Sequence, residues 1–172
     1  GRPYGAIPNL AIVKLGADGR IALYNRSGTI DLILDVVGFV SSTSQASAGR
    51  FVSLTPSRVL DSRTGNDGDN VSGPIGPDGT VDVTFAGRGG VPASGVDAVL
   101  VNVTAIDPTA SGFLTVYPTG AARPTASSVN FVASQIVPNL VLVKLGTNGQ
   151  AGIYNRSGAT HVAADVVGYF TS

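Results

Sequence analysis

One stretch of the chain occurs twice, and this internal repeat restricts how the chain can fold. Residues 8–42 align without a gap with residues 138–172 at a constant offset of 130, and 18 of the 35 aligned positions are identical. We call residues 8–42 the first copy and residues 138–172 the second copy. An ungapped repeat indicates that one structural unit is used more than once. Only residues 51–172 are long enough for a complete unit. The sequence therefore predicts that the chain is an excerpt of a longer tandem array.

The composition favours an all-β, extracellular protein. Charged residues make up 13% of the chain, and Gly (23) and Pro (10) are frequent. All acidic residues are Asp, which favours turns where Glu would favour helices. The absence of Cys excludes a disulfide framework and a thiolate metal site. A net charge of zero without a basic cluster argues against nucleic acid, and no apolar run is long enough to predict membrane insertion.

Short segments with strand character recur along residues 51–172. No segment keeps a helical period, whereas residues 81–85 alternate between apolar and polar side chains. The nine predicted strands are residues 51–55, 58–62, 81–85, 98–106, 113–117, 128–132, 140–145, 152–155 and 161–170. This pattern predicts an antiparallel β-sandwich, either immunoglobulin-like or jelly-roll-like.

Each copy of the repeat is predicted to form a three-stranded antiparallel meander. The first turn is Asp18-Gly19 in one copy and Asn148-Gly149 in the other, and such pairs supply the positive φ angles of tight hairpins. The chain then divides into a partial repeat unit (residues 1–42), a small-residue linker (43–50) and a complete sandwich unit (51–172).

The first copy is predicted to be an assembly surface, because its last strand is apolar on both faces. Ile33, Val37 and Phe39 lie on one side of that strand, and Leu32, Leu34 and Val36 lie on the other. We expect no preceding strands to cover these faces. Uncovered apolar faces and open strand edges favour association with other chains. The predicted partners are copies of the chain itself, arranged head to tail.

Two charged positions recur inside apolar strands. Lys14 and Lys144 are the only lysines, and Asp35 and Asp165 are matched in the same way. A charge in a central strand needs a partner, so we expect the ion pairs Lys14–Asp35 and Lys144–Asp165. The alternative is that these charges lie on a solvent-exposed face of the sheet. A more specific alternative is an isopeptide bond from the lysine, with Asn102 as the candidate partner.

A polar loop offers oxygen ligands for calcium. Asp61, Asn66, Asp67 and Asp69 are close in sequence, and Ca²⁺ prefers carboxylate and amide oxygens. The spacing departs from that of an EF-hand loop, so a solvated turn is the alternative. No other cofactor is predicted.

The residues for nucleophilic catalysis are scarce. The chain has a single histidine, His161, and the aligned residue in the first copy is Asp31. With neither Cys nor Glu, the usual pairs of nucleophile and base are nearly excluded. We therefore predict that the protein is not an enzyme, and that His161 is an exposed strand residue.

Four segments carry a resemblance to a known repeat. They are residues 56–63 (PSRVLDSR), 101–106 (VNVTAI), 112–118 (GFLTVYP) and 165–170 (DVVGYF). Their order and spacing resemble a tandem repeat of secreted and surface proteins of actinobacteria and related bacteria. The resemblance implies a secreted or cell-surface location and an accessory β-sandwich module, and it implies no catalytic residue.

Two functions fit this sequence. The first is a structural module of an extracellular filament, stalk or surface layer. The alternative is an accessory domain that binds carbohydrate or cell-wall polysaccharide. Carbohydrate binding needs an exposed aromatic platform, and without Trp that platform would have to consist of tyrosines. Exposed, coplanar tyrosines would favour binding, and buried tyrosines would favour the structural role.

Overall fold

In the computed structural model, the strands formed by the described residues all lie in the predicted complete unit. The structure describes residues 8–11, 13, 15–39, 49–65 and 71–172. The strands are β1 (Phe51–Asp61), β2 (Thr80–Thr84), β3 (Val96–Ile106), β4 (Gly112–Pro118), β5 (Val129–Phe131), β6 (Ile136–Lys144), β7 (Gln150–Asn155) and β8 (His161–Thr171), with a 3-10 turn at Thr147–Gly149.

These strands form two antiparallel four-stranded sheets with the orders β1-β8-β3-β6 and β2-β7-β4-β5. The chain pairs as one long hairpin rolled into a sandwich, because β1 pairs with β8, β2 with β7, β3 with β6 and β4 with β5. This is the arrangement of an eight-stranded jelly roll. The predicted all-β antiparallel sandwich is confirmed, and the pairing favours the jelly-roll-like alternative.

The core lies between the sheets and follows the strand alternation. Val99, Val101 and Val103 on β3 are fully buried, as are Leu114 on β4 and Ile153 on β7. Alternate residues of a strand point to the same face, so this spacing places β-branched side chains side by side in the core. β3 pairs with both β8 and β6, as its almost wholly apolar sequence indicates.

The described residues of the complete unit form eight strands where the sequence predicted nine. Residues 51–55 and 58–62 were expected to be separate strands, but they belong to the single strand β1, whose register with β8 shifts between Ser53 and Ser57. Pro56 lies in this interval and has no N–H for the ladder. Proline at an edge strand marks an irregularity of this kind, and the strand continues beyond it.

The predicted three-stranded meander is wrong for the second copy. Its residues do form three strands, β6, β7 and β8, but these strands do not pair with one another. β3 separates β6 from β8 in one sheet, and β7 lies in the other sheet. The turn at Asn148-Gly149 was predicted to close a hairpin, whereas the chain crosses there from one sheet to the other.

All ladder partners of these three strands lie earlier in the chain. β6 pairs with β3, β7 with β2 and β4, and β8 with β1 and β3. We call β6–β8 the closing strands and residues 51–131, which hold β1–β5, the receiving half. The closing strands complete the sandwich only by entering the receiving half.

The first copy contains the same turns without the strands. The Gly19 N–H donates to the Gly16 carbonyl oxygen at 3.0 Å, and the Gly149 N–H donates to that of Gly146 at 3.1 Å. Nevertheless, residues 8–11, 13 and 15–39 form no strand. Local sequence therefore specifies the turns, and strand formation requires a receiving half.

The predicted linker, residues 43–50, is described only at its end. The Gly49 N–H donates to the Thr171 carbonyl oxygen at 2.7 Å, and the Arg50 N–H donates to Thr171 Oγ1 at 3.1 Å. These two residues extend the pairing of β1 with β8. The end of β8 thus lies beside the start of β1.

Expressed separately, residues 49–172 should unfold cooperatively, with a melting midpoint within about 4 °C of the full chain. Residues 1–48 should show no cooperative transition as a monomer, because their ladder partners are missing. Circular dichroism during heating checks both fragments. A cooperative transition of the short fragment at low concentration would show that the repeat folds without a receiving half.

Candidate assembly surface

The first copy exposes side chains that the second copy buries. Val36 is 91% exposed and its counterpart Val166 is fully buried. Tyr24 is 88% exposed, whereas Tyr154 is 4% exposed. The two copies share these residue types, so the difference in exposure reflects the contact of the second copy with the receiving half.

The three residues predicted as assembly contacts are all exposed. Ile33, Val37 and Phe39 are 82%, 57% and 90% exposed. The other large exposed apolar residues of the first copy are Val13, Leu15, Ile21, Leu23, Tyr24, Ile30, Leu32, Leu34 and Val36. Large apolar side chains exposed in this number are typical of an interaction site. We call the described part of the first copy, residues 8–11, 13 and 15–39, the assembly surface.

One part of the assembly surface is concave. The shallow, open pocket there is lined by Leu23, Tyr24, Asn25, Ile30 and Leu32. The counterparts of all five residues are buried in the second copy. The pocket therefore coincides with positions that a receiving half covers in the complete unit.

Two asparagines show how polar groups join the closing strands to the receiving half. Asn155 is fully buried, and its side-chain nitrogen donates to the carbonyl oxygens of Ile75 at 2.9 Å and Gly76 at 3.2 Å. Asn139 donates to the Ser128 carbonyl oxygen at 2.7 Å. These bonds satisfy buried backbone acceptors that would otherwise destabilise the fold. The first copy has Asn25 and Asn9 at the same positions.

A second polar contact lies at the end of β7. The Tyr154 hydroxyl and Arg156 Nη1 both donate to Asp78 Oδ1, the latter at 2.5 Å. The hydrogen bond from Tyr154, aided by that from Arg156, lowers the pKa of Asp78. Arg123 lies over the Tyr154 ring, with its guanidinium carbon 3.9 Å from the ring centroid. Tyr24 and Arg26 repeat the closing-strand members of this cluster.

A third polar contact joins β8 to β1. Arg58 Nε donates to Asp165 Oδ1 at 2.5 Å, and Nη2 donates to Oδ2 at 3.1 Å. This two-point geometry is the strong form of an arginine–carboxylate pair, and it raises the pKa of Arg58. Asp35 repeats Asp165 in the first copy.

The predicted ion pair between Lys144 and Asp165 is therefore wrong. Asp165 binds Arg58, while Lys144 is exposed at the end of β6. β3 lies between β6 and β8, with Ala98 opposite Lys144 and Asn102 opposite Asp165. This register also separates Lys144 from Asn102, the isopeptide candidate. Asp35 is exposed, but Lys14 is outside the described residues, so that predicted pair stays untested.

The predicted calcium loop lies mostly outside the described residues. Asn66, Asp67 and Asp69 are not described. Asp61 is, and its carboxylate accepts hydrogen bonds from Arg58 at 2.9 Å and Arg63 at 2.7 Å. Across the described part of the chain, no three His, Cys, Asp or Glu side chains cluster for a metal ion.

His161 has a partner that the sequence did not indicate. Its Nδ1 lies 3.1 Å from Ser62 Oγ, which also accepts the Val162 N–H at 2.9 Å. His161 is half-buried rather than exposed as predicted, and Ser62 is fully buried. A substrate could not reach this hydroxyl in the folded state. The pair joins the end of β1 to the start of β8.

Sequence reasoning missed the polar contacts on the receiving half, although one signal pointed to them. Residues 24–28 and 154–158 share the sequence Tyr-Asn-Arg-Ser-Gly. A turn explains the glycine, but Tyr154, Asn155 and Arg156 bind groups in the receiving half.

Neither the protein-family models nor the curated proteins contain a match to the chain. In the part of the chain that the structure describes, no helix is long and apolar enough to span a membrane.

Acid should weaken the ion pairs of the Asp61 carboxylate. The Arg63 guanidinium holds the pKa of Asp61 well below its ordinary value of 3.8. The folded state then binds fewer protons than the unfolded state, so this contribution is present above about pH 4 and is lost as pH falls toward the lowered pKa. Asp61→Asn should reduce the free energy of unfolding by about 1–3 kcal/mol at pH 7.

Urea unfolding at pH 7, 5 and 3 checks this prediction. The difference between wild type and Asp61→Asn should narrow as pH falls. Asp97→Asn, at an exposed position on β3, is the matched control and should leave the profile unchanged. A difference that stays constant down to pH 3 would contradict the assigned role of Asp61.

The same substitution in the two copies should have different effects. Val166→Ala removes fully buried methyl groups and should lower the free energy of unfolding by about 2 kcal/mol. Val36→Ala should change it by no more than about 0.5 kcal/mol in the monomer. Thermal unfolding at low protein concentration measures both effects. Equal destabilisation would mean that the first copy is packed in the monomer.

Proposed function

We propose that the protein is a non-enzymatic structural module of an extracellular filament, stalk or surface layer built from repeated β-sandwich units. One observation carries this proposal: the first copy exposes the side chains that its equivalent buries in the complete unit. The second copy provides a template for the missing contact. On this template, the assembly surface of one unit is covered by the receiving half of another.

The geometry of such a contact supports an open array. Closing strands and receiving half are different surfaces, so a contact between units is head to tail. A head-to-tail contact that does not close on itself continues into a fibre. Only 13% of the residues are charged, and Cys and Met are absent. This composition suits a structural module better than a catalytic one. The resemblance to actinobacterial surface repeats supports the extracellular location.

The tyrosines favour the structural role over polysaccharide binding. Tyr154 is buried and held by Asp78, and Tyr117 and Tyr169 are half-buried. Among the described tyrosines only Tyr24 is exposed, and its counterpart Tyr154 packs beneath Arg123 in the complete unit. A planar row of exposed rings, which a sugar platform requires, is not found among the described tyrosines.

Replacing apolar residues of the assembly surface should abolish higher-order assembly. In the variant Ile33→Asp/Phe39→Asp, two charges would be buried at the contact, whereas the sandwich should keep its melting midpoint. Ile136→Asp is the matched control, because Ile136 is 66% exposed but lies outside the first copy. Light scattering and electron microscopy of concentrated wild-type, double-variant and control protein measure assembly.

The expected result is fibres or large oligomers for wild type and for Ile136→Asp, and monomers for the double variant. Wild-type protein that stays monomeric at high concentration would overturn the proposal. Equal assembly of all three proteins would show that the first copy is not the contact.

A further inference from the structure

The turn before β7 contains the only Asn-Gly pair of the sequence, Asn148-Gly149. Asparagine is a chemically labile residue. It is most labile before glycine, because glycine has no side chain to hinder the approach of its backbone nitrogen to the asparagine side chain. The other asparagines are followed by Leu, Arg, Asp, Val or Phe. The sequence therefore places deamidation at Asn148.

This reaction consumes only water. The Gly149 nitrogen attacks the side-chain carbon Cγ of Asn148 and loses its proton to a base in the solvent. The Cγ–Nδ2 bond then breaks, and Nδ2 takes a proton from the solvent and leaves as ammonia. Water opens the resulting cyclic succinimide at either carbonyl carbon. Opening at Cγ gives aspartate, whereas opening at the main-chain carbon gives isoaspartate, in which the chain runs through Cγ.

The fold holds the Asn-Gly pair in a conformation that does not react. Asn148 is exposed, so water and base reach it, but its backbone has a φ of 58° and a ψ of 23°. At this ψ the Gly149 nitrogen lies on the opposite side of the Cα–C bond from Cβ, and ring closure requires the peptide unit to rotate. The rotation would break the hydrogen bond from the Gly149 N–H to the Gly146 carbonyl oxygen, which is 3.1 Å long.

The receiving half opposes this rotation from both sides of the turn. The Gly149 carbonyl oxygen accepts the N–H groups of Phe85 at 3.1 Å and Ala86 at 3.2 Å. On the other side, the Thr147 N–H donates to the Thr119 carbonyl oxygen at 2.9 Å. The residues that flank the reacting atoms are therefore fixed while β7 is docked, and reaction requires local opening of this part of the sandwich.

The first copy shows that aspartate, one of the two products, fits this turn. Asp18 occupies the position that corresponds to 148, and the Gly19 N–H still donates to the Gly16 carbonyl oxygen at 3.0 Å. Asp18 also pairs with Arg20 at 3.2 Å, whereas the second copy has Gln150 at the position of Arg20. Both members of that pair are well exposed, and such pairs contribute little to stability.

Isoaspartate, the other product, does not fit. It inserts one more main-chain carbon between positions 148 and 149. The Gly146 N–H donates to the Gln150 carbonyl oxygen at 2.8 Å, and Gln150 lies opposite Thr84 in the ladder of β7 with β2. A longer turn cannot keep both the Gly146–Gln150 bond and this register, so β7 must shift or the turn must open.

We propose that Asn148 is a site of spontaneous deamidation, and that docking of β7 on the receiving half keeps it from reacting in the folded protein. Opening of the turn exposes the pair to reaction. Isoaspartate formed in the open state then prevents β7 from docking again in register, so the modification marks molecules whose closing strands have opened. The proposal concerns the second copy within one chain, and it does not depend on the proposed function.

Peptide mapping by mass spectrometry tests the site and its protection. The full chain is incubated at mildly alkaline pH, once folded and once unfolded in urea, and deamidation is followed at each asparagine. The expected result is that Asn148 reacts fastest in urea, and that its reaction in the folded chain is slower by at least about tenfold.

A pair of glutamine variants tests whether docking of β7 controls the rate. Gln150→Ala removes the hydrogen bond from Nε2 to Thr84 Oγ1, which is 3.0 Å long, and should raise the rate at Asn148 in the folded chain by about fivefold. Gln135→Ala is the matched control, because the Gln135 side chain accepts the Val132 N–H in a different turn. The control should leave the folded rate unchanged, and neither variant should alter the rate in urea.

The two products should differ in stability. Asn148→Asp, which makes the aspartate product directly, should melt within about 2 °C of wild type. The isoaspartate form, separated by ion exchange from protein deamidated in urea and then refolded, should melt lower by more than about 4 °C. Thermal unfolding followed by circular dichroism measures both.

Several results would overturn the proposal. Faster deamidation of another asparagine in urea would remove Asn148 as the site. Equal rates at Asn148 in the folded and unfolded chain, or equal acceleration by Gln150→Ala and Gln135→Ala, would show that docking of β7 does not protect it. Equal melting of the aspartate and isoaspartate forms would show that the turn accepts both products.

Discussion

The structure depends on the pairing of the closing strands with the receiving half. In the rolled hairpin, β8 pairs with β1, β7 with β2 and β6 with β3. None of the three closing strands has a ladder partner among the other two. Unpaired backbone groups cannot be buried at acceptable cost, so these strands form only when a receiving half is present. The absence of strands in residues 15–39, despite the matching sequence, follows from the same constraint.

Polar and apolar contacts contribute to this pairing in different ways. Arg58–Asp165 and the Asp78 cluster fix where the closing strands lie, and the residues on the closing side are the same in both copies. The buried apolar positions vary in size between copies, as Ala163 and Ile33 do. Polar contacts have strict geometry, whereas packing can change if both sides change together.

The sequence predicted the strands well and their partners poorly. Strand positions follow from alternation and turn residues, which are local, so residues 81–85 and 98–106 were placed within about two residues of β2 and β3. Pairing in a jelly roll joins residues far apart in sequence, and local turns such as Asn148-Gly149 suggested hairpins that do not exist. The Lys144–Asp165 prediction failed for the same reason. Ile33, Val37 and Phe39 are exposed, and their role as assembly contacts stays a prediction.

Hydrogen exchange of the full chain, followed by mass spectrometry, tests most directly whether closing strands need a receiving half. Matched peptides from residues 20–25 and 150–155, and from 31–38 and 161–168, compare the two copies within one molecule. In the monomer, amides of the second copy should be protected and those of the first copy should exchange rapidly. On assembly, the first copy should gain protection in the same pattern as the second. Equal protection of both copies in the monomer would contradict this account.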